Sequence, residues 1–173
     1  MPIQHTLAKI EREIAAGDYG TARDRLHGLI ATYPNDLTLR RKLGQVYWRL
    51  QYPAMAGRYW YLEADPTPDM AAACRAFECA CGEDPLQILQ ALKFRGDLQA
   101  IPPTAARKLG ALQAQVAERY GYRLDFQKRG AARYQPIPRP WQDQVLIAGC
   151  LFVALIGAAL MIVGVFTVAT WLF

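Results

Sequence analysis

Residues 18–34 read DYGTARDRLHGLIATYP and residues 52–68 read YPAMAGRYWYLEADPTP. Laid over one another, these stretches put Ala22 on Ala56, Leu26 on Trp60 and Pro34 on Pro68, each pair 34 positions apart. A fixed period of this length marks stacked supersecondary units, none of which can bury its apolar face alone. The surrounding text is helical. IEREIAAG stops at Gly17, a residue suited to the left-handed backbone that ends a helix. Ala22, Leu26, Leu29 and Ile30 recur at helical spacing. Asn35 and Asp36 are cap candidates for LTLRRKLGQVYWRL, whose Leu39, Leu43, Val46 and Leu50 form one stripe. Pro53 opens AMAGRYWYLEAD, which must stop before Pro66 and Pro68. The period therefore predicts two helical hairpins within residues 3–68.

This arrangement resembles the tetratricopeptide repeat, which pairs two antiparallel helices and places small residues where they cross closely. Gly17, Asp18, Tyr19, Ala22, Leu26 and Pro34 occupy the pattern's fixed places in the first unit, and Leu43, Gly44, Tyr47, Ala56, Trp60 and Pro68 do so in the second. Departures are Lys9 and Glu13 on the first helix, Tyr52-Pro53 at the turn, and Glu63 at a small position. A third unit keeps Phe77 and breaks at Gly82-Glu83-Asp84-Pro85. The block from Arg25 to Glu63 is also similar to a small uncharacterised bacterial family, a resemblance that implies a bacterial source and carries no activity.

Beyond the repeats, Asp84-Pro85 can cap and start a helix with Leu86, Leu89 and Leu92, and Leu109, Leu112 and Val116 form the stripe of a closing helix. No strand pattern is evident. After Tyr122 the composition changes, and Pro136, Pro138 and Pro140 at alternate positions favour an extended spacer. The expected domains are a helical-repeat domain over 1–122, a basic Pro-containing linker over 123–144, and a tail over 145–173.

The tail sets the expected location. All 35 charged residues lie between Lys9 and Asp143, so the mean hydropathy of −0.01 averages a polar domain with an uncharged run. Val145–Phe173 exceeds the roughly 20 apolar residues that cross a bilayer, with Trp141 before the run and Trp171 near its end. It reads as a single-pass transmembrane helix, a carboxy-terminal anchor. Arg123, Lys128, Arg129, Arg133 and Arg139 outnumber Asp125 and Asp143 beside it, which by the positive-inside bias puts the repeat domain in the cytoplasm of a bacterial inner membrane and the C-terminus on the far side. Lys128, Arg129, Arg133 and Arg139 are candidate contacts to anionic lipid. Within the run, Gly149, Cys150, Ala154, Gly157, Ala158 and Gly164 are small residues through which a second helix could approach. The fold class expected is thus all-α: two tetratricopeptide-like hairpins, capping helices and one transmembrane helix.

Templates for catalysis fail one by one: no Gly-rich phosphate loop, no HExxH pair and no GxSxG elbow occurs. Cys74, Cys79 and Cys81 lack a fourth ligand at zinc spacing, and Cys74, Phe77 and Cys81 share a helix face as core residues do. No catalytic residue, metal or cofactor is expected. The net charge of +5 is spread through the domain, which argues against nucleic acid.

On the helix after Asp36, Arg41, Gln45, Trp48 and Arg49 share a face away from the Leu39 stripe, with Lys42 on its border. The tetratricopeptide resemblance implies that such positions line a concave groove for an extended peptide, where cations, an amide and an indole would hold a carboxylate and an apolar side chain. The expected function is a membrane-anchored adaptor that binds a protein partner through this groove. An immunity-type protein sequestering a toxin, and an enzyme with unrecognised residues, stay open as alternatives.

Overall fold

Four helices, α1 (Ile3–Ala15), α2 (Tyr19–Thr32), α3 (Leu37–Arg49) and α4 (Pro53–Trp60), open the computed structural model. Residues 3–128, 130–137, 149, 151–154, 156–157 and 161 are described. Helices α1 and α3 start 34 residues apart, at Ile3 and Leu37, as do α2 and α4, at Tyr19 and Pro53. The period in the sequence is therefore a period in the backbone. It ends there: α5 (Pro68–Ala80), α6 (Pro85–Leu92) and α7 (Pro103–Tyr120) start at other intervals. From α1 to α5 each helix packs on the next, and α6 and α7 pack on each other.

Local chemistry explains the boundaries. Gly17 sits at φ +78° beyond α1. Asp18 accepts from the Thr21 amide at 3.1 Å, Asp36 from the Thr38 amide at 2.9 Å, and Asp84 from the Leu86 and Gln87 amides at 2.8 and 3.1 Å. Each such cap contributes about 1 kcal/mol. Pro53, Pro68, Pro85 and Pro103 occupy first-turn positions, where the missing N–H has no intrahelical partner to lose. Helix α4 ends at Trp60, earlier than the run to Asp65 that the sequence suggests, although Leu62 beyond it is still buried.

Two hydrophobic cores result. Ile10, Ala22, Leu26, Leu39, Leu43, Val46, Ala56, Trp60 and Ala73 form the first, drawn from α1 to α5. Phe77, Leu89, Leu92, Phe94, Leu109, Val116, Leu124 and Phe126 belong to the second. In the first core two glycines set the helix spacing. A Cβ on Gly57 would overlap the backbone carbonyl of Ala73 in α5, and one on Gly44 would overlap the Trp60 indole.

Two expectations are corrected. The chain is mostly helical but not all-α: Tyr122–Leu124 (β1) and Tyr134–Pro136 (β2) pair antiparallel, Leu124 opposite Tyr134. Beyond the expected boundary at 122, Leu124 and Phe126 are buried, Phe126 packs edge-on to Phe94 at 5.7 Å, and the compact unit runs to Pro136. The transmembrane helix is not supported either. A span needs about 20 consecutive apolar helical residues, and among the described residues no helix is long and apolar enough to cross a membrane. Gly149, Ala154 and Gly157 are helical positions in the separate unit Ile137–Phe173, whereas Cys150, Ala158 and Gly164 lie outside the described residues.

Gly57→Ala is expected to destabilise the fold by about 1–3 kcal/mol through forced separation of α4 and α5. Gly28→Ala, in α2 with no atom near the added methyl, should stabilise by about 0.5–1 kcal/mol. Denaturant melts of the two variants against the parent chain check both signs.

Candidate functional site

The five residues singled out on α3 do not end in one place. Lys42, Gln45, Trp48 and Arg49 line a cleft of about 600 Å³, while Arg41 does not. The Arg41 guanidinium is held by both carboxylate oxygens of Glu63, at 2.7 and 2.6 Å. That fork raises the Arg41 pKa and uses its donors in the native fold. Glu63, which departs from the small residue of the repeat pattern, is the partner that removes Arg41 from the cleft.

The cleft is built by alternate helices. Glu11 and Ile14 come from α1, the cluster of Lys42, Gln45, Val46, Trp48 and Arg49 from α3, and Asp69 and Met70 from the first turn of α5. Tyr19, Gln51, Trp60 and Thr67 complete the lining. Trp48 lies against Trp60 with ring centres 5.8 Å apart, and the Trp60 indole N–H donates to the Arg41 carbonyl at 3.0 Å. Thus one indole is fixed over Gly44 as part of the core and supports the other, which faces the cleft half-buried. Lys42 is ion-paired with Glu11 across α1 and α3. Gln45 and Arg49 are exposed at the rim. Apolar surface from Ile14, Met70 and the indoles, with an amide, cations and the carboxylates of Glu11 and Asp69 around it, suits a ligand with an apolar side chain and both signs of polar group.

The sequence reading missed Glu11, Tyr19, Thr67, Asp69 and Met70, because nothing in one sequence says which residues of α1 and α5 face α3. Trp60 carried a signal, its alignment with Leu26, but only as a core position.

The remaining candidates are scattered. His27 Nε2 lies 3.1 Å from the Tyr47 hydroxyl, and burial followed by the charge of Arg58 lowers its pKa. Cys74 and Cys81 are half-buried and Cys79 is exposed. Among the described residues no group of three His, Cys, Asp or Glu side chains is placed to hold a metal ion. Lys128 pairs with Asp125 at 3.6 Å, and the Arg133 guanidinium lies 5.9 Å from the Phe126 ring centre, so both are engaged by the region around the hairpin. Arg129 and Arg139 lie outside the described residues.

The class these observations define is a helical domain whose first four helices repeat with period 34 and whose alternate helices enclose a cleft. The chain belongs to a family of unknown function (DUF6584), which it matches over residues 1–170. No curated protein and no solved structure matches it.

Burial pushes the Cys74 thiol up to about 11, and raises Cys81 as well. At pH 8 both hold less thiolate than an ordinary cysteine, and thiolate is the reactive form. Iodoacetamide is therefore expected to modify exposed Cys79 well before Cys74, as resolved by mass spectrometry of the cysteine peptides against time. Equal rates at the two sites would show that Cys74 is not buried in solution.

Proposed function

We propose that this chain is a protein-interaction module of the tetratricopeptide type, an adaptor that holds an extended peptide of a partner in the cleft between α1, α3 and α5. The observation that carries this reading is the lining itself: α1 and α3, the first helices of the two period-34 units, and the first turn of the following α5 contribute most of the walls, as expected of a groove on the first helix of each repeat. A volume of about 600 Å³ has room for a few peptide residues. The half-buried Trp48 supplies an apolar anchor, and indoles backed by packed neighbours are typical binding hot spots. Gln45 and Arg49 offer donors to a peptide carbonyl or carboxylate at the rim. Arg41, engaged by Glu63, is not part of the binding set. No observation favours the toxin-sequestering or enzymatic reading over this one.

A photo-crosslinking residue placed at Gln45 is expected to capture a partner in cells that the same residue at Gly28 does not. With the captured partner purified, Trp48→Ala/Arg49→Ala should weaken binding at least about tenfold, whereas Arg41→Ala should leave affinity within about twofold. Retained affinity in the double variant, with melting temperature unchanged, would remove the cleft from consideration.

A further inference from the structure

Arg40, one position before the expected binding face, is the one buried charged side chain among the described residues, at 3% exposure. Its Nη2 donates to the Leu92 carbonyl at 3.0 Å and reaches the Arg58 carbonyl at 3.5 Å, and its Nε has no hydrogen-bond partner. The guanidinium carbon lies 5.3 Å from the Tyr59 ring centre. Arg58 lies over the same ring at 5.2 Å, and its Nε is likewise buried without a partner. Burial pushes Arg40 down to about 10, which still leaves it protonated at neutral pH. The carboxylate of Glu63, which lines a neighbouring cleft with Arg40 and Tyr59, is held by Arg41, so two like charges share one aromatic ring with no ion pair among the described residues, an imbalance that a buried site tolerates poorly.

These arginines, Lys93 and Arg95 line a cleft of about 230 Å³ that has no Asp or Glu in its lining. None of the four cations has an ion-pair partner among the described residues. They are also held in position. Lys93 and Arg95 are exposed on either side of Phe94, which is 1% exposed and anchored in the second core. The same loop is pinned by the Asp97 amide, which donates to the Asn35 side chain at 2.8 Å, and Gly96 is packed against Asn35 and Phe94 too closely to admit a Cβ. Lys93 itself adopts φ +46°, a left-handed conformation in which glycine would be less strained, so a cation stands where the backbone alone favours none.

We propose that the cleft of Arg40, Arg58, Lys93 and Arg95 is a phosphate-binding site, taking inorganic phosphate or the phosphate of a small monoester. A dianion supplies the missing counter-charge, and guanidinium groups match its oxygens in forked hydrogen bonds. The volume leaves room for the phosphate and a few further atoms and for nothing the size of a nucleotide. This site shares no lining residue with the peptide cleft and stands independently of it.

The test titrates inorganic phosphate, and separately glycerol phosphate, into the 173-residue chain at an ionic strength held constant with chloride, reading the phosphorus NMR resonance and the melting temperature. The expected result is a saturable shift of the resonance and a melting temperature raised by about 5 °C at saturation. Stronger binding of glycerol phosphate would identify an ester as the preferred ligand, and weaker binding the free ion. Arg58→Gln should abolish the effect. Lys93→Gly keeps the left-handed backbone and should melt no lower than the parent, yet bind phosphate about tenfold more weakly. Arg107→Gln, an exposed cation elsewhere on α7, should bind within about twofold of the parent. A response that tracks ionic strength alone, or that is the same in Lys93→Gly and Arg107→Gln, would overturn the proposal.

Discussion

One buried guanidinium reaches from the first hydrophobic core to the second. Arg40 leaves α3, whose apolar stripe belongs to the first core, and reaches the carbonyl of Leu92, a member of the second. Leu92 is the last residue of α6, so its carbonyl is one of those a helix end leaves without an intrahelical donor. Arg40 supplies the donor, and the contact joins residues 52 positions apart. Replacing it by a shorter apolar residue would orphan that carbonyl and empty the space beside Tyr59. Retaining it keeps a charge out of water, at a cost of several kcal/mol before any compensation. This link, which stands beside the packing of Leu37 and Tyr61 on the second core, is thus unfavourable until its remaining donors find a partner.

Within the repeats the governing constraint is steric rather than electrostatic. Gly44 and Gly57 bring α3 to the Trp60 ring and α4 to the α5 backbone at distances that no side chain permits. Close approach leaves Trp60 nowhere to go except across Gly44, with its N–H on the Arg41 carbonyl. From that position it props Trp48 toward the cleft. The shape of the candidate binding surface therefore follows from the absence of two Cβ atoms in the core beneath it.

What was legible in the sequence, and what was not, divides along the same line. Caps, prolines and apolar spacing are local, and they located the end of α1, the helices α2 and α3, and the starts of α4 and α6 to within a residue or two. The period placed Ala22, Leu26, Ala56 and Trp60 in one core because a repeat forces equivalent burial. Strands β1 and β2 escaped notice: each has three residues, β2 ends in Pro136, and neither has the length over which alternation becomes visible. The uncharged run from Val145 satisfied the hydropathy criterion for a span, yet hydropathy reports what a helix would do if formed, and no helix meeting that requirement is found among the described residues. Arg41 looked like a binding residue because helical geometry places it beside Gln45 and Trp48. Its capture by Glu63, 22 positions on, depends on a tertiary contact that no local rule contains.

Charge shows the same limit most clearly. Read along the chain, a net charge of +5 is spread through the domain and argues against nucleic acid. Folding sorts it. Arg23, Arg25, Arg41, Lys42, Arg119 and Lys128 each find a carboxylate, and these pairs are largely exposed, so each contributes little beyond local order. Arg40, Arg58, Lys93 and Arg95 are drawn from α3, α4 and the loop after α6 into one small cleft that none of these carboxylates lines. Their mutual repulsion is paid in fold stability, and a surface scatter of the same four charges would avoid it. Four cations can be kept together at the junction of two cores only because the helices and the Phe94 anchor position them. This concentration of positive charge is therefore a property of the fold, which the composition of the chain does not express.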